Sequence, residues 1–290
     1  MTIQSPEAPW PRSAQLVGRE HHSIGALAAI AEGPAAITLS RGGFAKQYEH
    51  TEPNEDAAGF AYSPQGALIA VADGHHGATG AQAAVAYLVE TCGPRWLEDA
   101  TSLAPEDWIQ ESQQALFDAN HAVLAEAAQR DRPPAPTTLA FAFSFRAAGK
   151  IGWAGIGDSH LFGSSEGETL DWLGEALAGK RRAFLGYESW TEESLADRAA
   201  YGVRECAGVS ALILATDGLS EPGIGVVDPA RAVQQAVLQA KAQTPELRPL
   251  ELARQVSGIA MRSHQDQKAG DNIASAVLWL ASSEPASESE

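Results

Sequence analysis

The sequence predicts an α+β fold built on antiparallel sheet, and three observations lead to that class. Short apolar runs of strand length recur along the 290 residues and stop at Gly, Pro, Asn or Asp. Two of these runs, 140–145 and 151–156, flank the turn Ala148-Gly149-Lys150, which reads as a hairpin and therefore as antiparallel pairing. Segments with apolar residues at helical spacing lie between the runs.

In chain order, residues 1–34 carry Pro6, Pro9, Pro11 and Pro34 with little periodicity, so a loosely structured lead-in that could include a short strand is expected. Residues 35–40 form a candidate strand, and Arg41-Gly42-Gly43 then opens a polar stretch that reaches Asn54-Glu55-Asp56. Two further strands are expected at 57–62 and 68–72. The second is continuously apolar and halts at Asp73-Gly74-His75-His76-Gly77, which holds a carboxylate at the end of a buried strand. Residues 78–91 read as a helix ended by Gly93-Pro94, and 105–130 as a longer amphipathic helix stopped by Pro133-Pro134. His121 within it is expected to be a surface or packing histidine.

After Thr137-Thr138, the hairpin delivers Gly157-Asp158-Ser159-His160 at the end of its second strand. Residues 164–205 are more polar, contain the basic run Lys180-Arg181-Arg182, and suggest an excursion from the main sheet. Residues 211–215 then repeat the earlier arrangement by delivering Asp217-Gly218. Helices are expected over 229–242 and 246–263, with Asp228-Pro229 and Thr244-Pro245 as capping signals. Gly270-Asp271-Asn272 begins a last strand, 273–280, and the Ser, Glu, Ala and Pro of 282–290 have the composition of a disordered tail.

Composition narrows the function. A hydrophobic share of 44% with 20% charged residues describes a globular chain with length enough for a core. The formal net charge of -17 argues against nucleic acid, whose phosphates require clustered Lys and Arg. The acidity ordinarily means a solvated surface, and it could also serve divalent cations. Only Cys92 and Cys206 are present, outside any thiolate-zinc spacing, so neither a disulfide framework nor a zinc thiolate site is suggested. With neither a basic-then-apolar leader nor an apolar run of membrane length, the expectation is a cytoplasmic protein that is neither exported nor membrane-embedded.

An Asp-Gly after a strand is ordinarily just a turn. Here the arrangement recurs. If the strands share antiparallel sheets, Asp73, Asp158 and Asp217 at strand ends and Asp271 at a strand start fall at one end of the fold. Clustered carboxylates repel one another unless cations compensate. Oxygen ligands without Cys point to a hard ion, Mg2+ or Mn2+, and two such ions can bind a phosphate and activate a water. His75 could then protonate the leaving alcohol.

The ordered set Asn54-Glu55-Asp56, Asp73-Gly74-His75-His76-Gly77, Thr137-Thr138, Gly157-Asp158-Ser159, Ala215-Thr216-Asp217-Gly218 and Gly270-Asp271-Asn272 resembles the metal-dependent serine/threonine protein phosphatases of the PPM type, also called type 2C. The resemblance spans about residues 35–281, preceded by the 1–34 lead-in and followed by the tail. It implies a four-layer α-β-β-α sandwich of two antiparallel sheets with a dinuclear Mn2+ or Mg2+ centre at one end. It further implies that Asp73 bridges the metals with Gly74 adding its carbonyl. Asp217 and Asp271 hold one ion, Glu55 and Asp56 act directly or through waters, and Asp158 can serve a weaker third ion. His75 matches the general acid, and 164–205 the flap that contacts substrate. The implied partner is a phosphorylated protein opposed by a serine/threonine kinase.

Two positions depart from the family pattern. Thr51 stands where an Arg commonly grips the phosphate; Arg41, Lys46 or His50 could substitute, the metals could hold the phosphate, or activity could be weak. His160 stands where Arg is common. The departure at Thr51 also leaves a non-catalytic module that binds a phosphoprotein partner as the alternative function.

Overall fold

The computed structural model describes residues 10–48, 50–98, 104 and 107–280. Two six-stranded antiparallel sheets face each other. The first has the order β1 (Arg12–Val17), β4 (Ala57–Ser63), β5 (Gly66–Ala72), β6 (Leu139–Phe145), β7 (Lys150–Ile156), β10 (Ala200–Glu205). The second runs β2 (Ala28–Glu32), β3 (Ala35–Ser40), β12 (Ile273–Trp279), β11 (Val209–Ala215), β8 (His160–Ser165), β9 (Glu168–Asp171). Helices α1 (Thr79–Tyr87), α2 (Gly93–Glu98) and α3 (Trp108–Gln129) cover the first sheet, and α6 (Pro229–Lys241) and α7 (Arg248–Gln267) cover the second. The short helices α4 (Trp172–Leu177) and α5 (Glu192–Arg198) lie between β9 and β10.

These layers explain why the strands read as continuous apolar runs. Along β5, Leu68, Ala70 and Ala72 pack toward the helices while Ala67, Ile69 and Val71 pack between the sheets. Both faces are covered, so alternation with polar residues disappears. Strand β6 alternates in size instead: Leu139, Phe141, Phe143 and Phe145 fill the helix side against Trp96 and Trp108, and Ala140 and Ala142 let the second sheet approach. Each buried Phe contributes about 2 kcal/mol of transfer free energy.

The hairpin, the strands bordering the acidic motifs and the helix over 229–242 lie where expected, and Asp228 caps α6 by accepting from the Arg231 amide at 3.0 Å. His121 is exposed and edge-on to Phe117. The expected helix start at Pro105 and the 282–290 tail lie outside the described residues.

Four expectations are corrected. From residue 10 onward the lead-in is not loose: β1 pairs with β4 and β2 with β3, and Arg12 and Glu32 bridge the edges of the two sheets. Edge strands have one solvent-exposed side, and β1 mixes polar with apolar residues while β2 is a five-residue run, so neither carries the fully buried run of its neighbours. For the same reason the excursion from the sheets shrinks to residues 172–199, since β9 pairs with β8 and β10 with β7. Gly93-Pro94 does not end the helical segment. A π turn, Leu88–Cys92, leads into α2, where Pro94 sits in a first turn that needs no donor. Thr244-Pro245 is a turn closed by the Leu247 amide on the Thr244 carbonyl; α7 starts afterwards, with Pro249 in its first turn.

Candidate metal centre

The acidic motifs meet because of register. Ala57 opposes Ala72, so Asp56 and Asp73 flank one rung of the first sheet. Ala215 opposes Ser275, so Asp217 and Asp271 lie at the matching end of the second. Hydroxyls and amides fasten the corners. The Asp73 amide donates to Thr138 Oγ1 at 2.9 Å, and the Asp73 carbonyl accepts from Thr137 Oγ1 at 2.8 Å. Thr138 Oγ1 is also 3.0 Å from Ser159 Oγ, which ties in the turn carrying Asp158. Across the sheets, Thr216 Oγ1 donates to Asp56 Oδ2 at 2.8 Å, and Asn272 Oδ1 accepts from the Glu55 amide at 2.9 Å.

One carboxylate oxygen each from Asp73, Asp158 and Asp217 lie within 4.8 Å of one another. Asp56 and Asp271 adjoin them closely enough to act on their charges. Burial pushes the Asp56 carboxyl up from an ordinary 3.8 to about 7, with Asp271 adding to the rise and Lys46 opposing it. Asp73 and Asp217 are raised well above the usual range, first by burial and then by their acidic neighbours. Asp56 Oδ1 and Asp158 Oδ1 are buried without hydrogen-bond partners. Oxygen donors in excess, repelling one another and with unused lone pairs, suit hard divalent cations. Gly74 lies close under the site, where a Cβ would come within 2.3 Å of the Glu55 carbonyl oxygen. A Cβ on Gly218 would meet the Asn272 carbonyl oxygen at 1.8 Å.

The loop after β3 brings the counter-charge. Lys46, its side chain 3% exposed, places Nζ 3.0 Å from Asp271 Oδ1, and the Tyr48 hydroxyl donates to the same oxygen at 2.5 Å. Burial alone would lower the Lys46 pKa, yet Asp271, Asp56 and Asp73 together raise it. Arg41 is turned away, donating to the His22 carbonyl at 2.9 Å, and His50 lies against the Tyr48 carbonyl. Glu55 Oε1 accepts from the Thr51 and Glu52 amides, so this carboxylate braces the loop that carries Thr51. His75 is half-buried, with Nδ1 3.7 Å from Asp73 Oδ2 and its ring against Phe184 at 4.6 Å. Burial lowers its pKa, with Asp158 opposing.

Sequence reasoning missed His264 and gave His160 no role. His264 is fully buried and bridges the Gly43 amide and the Gly218 carbonyl, which fixes Nδ1 as acceptor and Nε2–H as donor. His160 sits between Asp171 Oδ2 at 2.6 Å and Ser220 Oγ at 2.5 Å, tying β8 and β9 to the turn after Asp217. Nothing in the local pattern marks His264.

The electrostatics set a pH dependence. A carboxyl raised in the folded state stabilises below its unfolded pKa, and that contribution is lost as pH rises through the folded value. For Asp56 the window is about pH 4 to 7. The thermal midpoint of metal-free protein is therefore expected to fall by about 5 °C or more between about pH 5 and pH 8, with Mn2+ restoring it at the higher pH. Calorimetry in chelator and in Mn2+ measures this; a flat or rising midpoint in chelator contradicts the assignment of a repulsive cluster.

A sandwich of two antiparallel sheets with helices outside and an acidic, metal-suited centre at one end defines the class of fold. A family model described as Protein phosphatase 2C matches residues 45–268, and the chain belongs to that family. Among solved structures, the serine-threonine phosphatase 2C of Toxoplasma gondii is similar at 16% identity over 93% of this chain and 100% of that one, with a TM-score of 0.61. The Mycobacterium tuberculosis phosphatase PstP/Ppp matches at 22% identity over 88% of this chain and 98% of its own, with a TM-score of 0.56. The PstP catalytic domain in complex with two manganese ions matches at 22% identity over 88% and 99%, with a TM-score of 0.55. At these identities the likeness is one of fold. No curated protein matches the chain. Among the described residues, no helix is long and apolar enough to cross a membrane.

Proposed function

We propose that the chain is a metal-dependent phosphoprotein phosphatase that hydrolyses phosphoserine and phosphothreonine at a centre holding two Mn2+ or Mg2+ ions. The observation that carries this reading is the convergence of Asp73, Asp158 and Asp217 oxygens beside the partnerless Asp56 Oδ1. Asp73, the Gly74 carbonyl, Asp217 and Asp271 would hold the two ions, with Glu55 and Asp56 acting directly or through waters and Asp158 available to a weaker third. Bound there, such ions would neutralise phosphate charge and supply an activated water for in-line attack.

The protein's own groups do the rest. His75, its ring held against Phe184, delivers a proton to the departing serine or threonine oxygen. Lys46 takes over the cationic role left open by Thr51, since it lies at the centre while Arg41 faces His22. The substrate class is a phosphorylated protein opposed by a serine/threonine kinase, and the site of action is the cytoplasm.

The test is phosphate release from phosphoserine and phosphothreonine peptides by purified protein with Mn2+, with Mg2+ and in chelator. Turnover that requires metal is expected; none above the chelator control across both metals rejects the reading. Thr51, which offers no cation, favours a second reading as a phosphoprotein-binding module. A binding module gains nothing from buried, mutually repelling carboxylates, so catalysis is preferred.

A further inference from the structure

Beside the acidic centre lies a cavity of opposite sign. It has a volume of about 240 Å³ and is lined by Lys180, Arg181, Arg182 and Arg198 together with the turn that carries Asp158. Four basic residues and one acidic residue line it, in a chain whose net charge is -17. Arg182 Nη1 pairs with Asp158 Oδ2 at 2.9 Å, and Lys180 donates to the Ala199 carbonyl. Arg181 and Arg198 have no carboxylate partner among the described residues. Such a concentration of unpaired guanidinium groups in a concave site suits carboxylate or phosphate.

Asp158 belongs to both places. Its carboxylate is among those within 4.8 Å at the metal centre, and it also lines the basic cavity. An extended peptide advances roughly 3.5 Å per residue, so a residue roughly one to three positions from a phosphoserine held at the centre reaches the cavity. Arg182 ties the segment that supplies the cations to Asp158, and among the described residues Arg181 and Arg198 make no ion pair, which leaves them available to a ligand.

We propose that this cavity binds an acidic residue flanking the phosphorylated one, so that the protein selects acidic or multiply phosphorylated segments of its substrates. The proposal rests on the phosphatase reading above for the identity of the peptide. The overall acidity makes the preference distinctive, because without a local basic site an acidic peptide is repelled.

The experiment measures fluorescence anisotropy of labelled peptides that carry one phosphoserine flanked by Asp, by a second phosphoserine or by Asn. Full-length protein is used in Mn2+, with the central phosphoserine replaced by its non-hydrolysable phosphonate analogue, so binding is read without turnover. Asp-flanked and doubly phosphorylated peptides are expected to bind about tenfold more tightly than the Asn-flanked peptide, with the ratio falling as salt is raised. In the double variant Arg181→Gln, Arg198→Gln the ratio falls toward one, and Arg181→Lys, Arg198→Lys recovers most of it. Equal or weaker binding of the acidic peptides by the wild type, or a ratio unchanged in the Gln variant, overturns the proposal. Phosphate release from the Asn-flanked peptide with Mn2+ reports separately on the phosphatase reading, so the two can fail independently.

Discussion

Asp73→Asn is expected to lower metal-dependent turnover by about a hundredfold or more while raising the thermal midpoint of the metal-free protein. The two effects have one cause. Asp73 is buried and its charge is opposed by Asp217, Asp56 and Asp271, so the wild-type side chain is held at an energetic cost that Lys46 offsets only in part and a bound cation offsets further. Asn keeps the shape and the backbone mounting on Thr137 and Thr138, because those bonds involve the main chain of residue 73. It removes the charge and adds a donor among acceptors. Fold and mounting persist, and the carboxylate proposed to hold the ions is lost. Phosphate release in Mn2+ and thermal unfolding in chelator check the two halves. Turnover equal to wild type would show that the carboxylates do not hold the catalytic ions. A lower midpoint in chelator would show that repulsion is not what governs this corner.

Lys46→Met is expected to destabilise the metal-free protein by about 3–5 kcal/mol, a fall of roughly 10 °C in midpoint at about pH 8. Lys46 is the cation buried against Asp271, and it also acts on Asp56 and Asp73. Removing it leaves a buried carboxylate group without compensation. Protonation relieves part of that cost, because Asp56 titrates at about 7, so the loss should shrink toward about pH 5. Mn2+ should recover most of the midpoint by supplying the missing charge. The comparison of unfolding at both pH values, with and without Mn2+, is decisive. A midpoint unchanged at the higher pH would remove Lys46 from the role of counter-charge.

The parts of this centre legible in the sequence are those written into local periodicity. The run through Val71 and Ala72 stops at Asp73 because a strand covered on both faces must be apolar until it leaves the core, and the run through Leu214 and Ala215 stops before Asp217 for the same reason. Such strand ends can be read without knowing what lies opposite. The edge strands β1 and β10 could not be read that way, since their outer edges meet solvent and polar residues interrupt them.

What the sequence by itself determined was the set of carboxylates, their order, the antiparallel hairpin and the helices that cover the sheets. Only the tertiary structure decided that Lys46 and Tyr48 close on Asp271, that Thr216 reaches across to Asp56, that Arg41 and Glu55 turn to backbone groups, and that a basic cavity opens beside Asp158. The physical reason is one of range. Hydrophobic period and turn chemistry act over a few residues, whereas these contacts join positions up to 225 apart in sequence, as between Lys46 and Asp271, and depend on how two sheets pack and in what register.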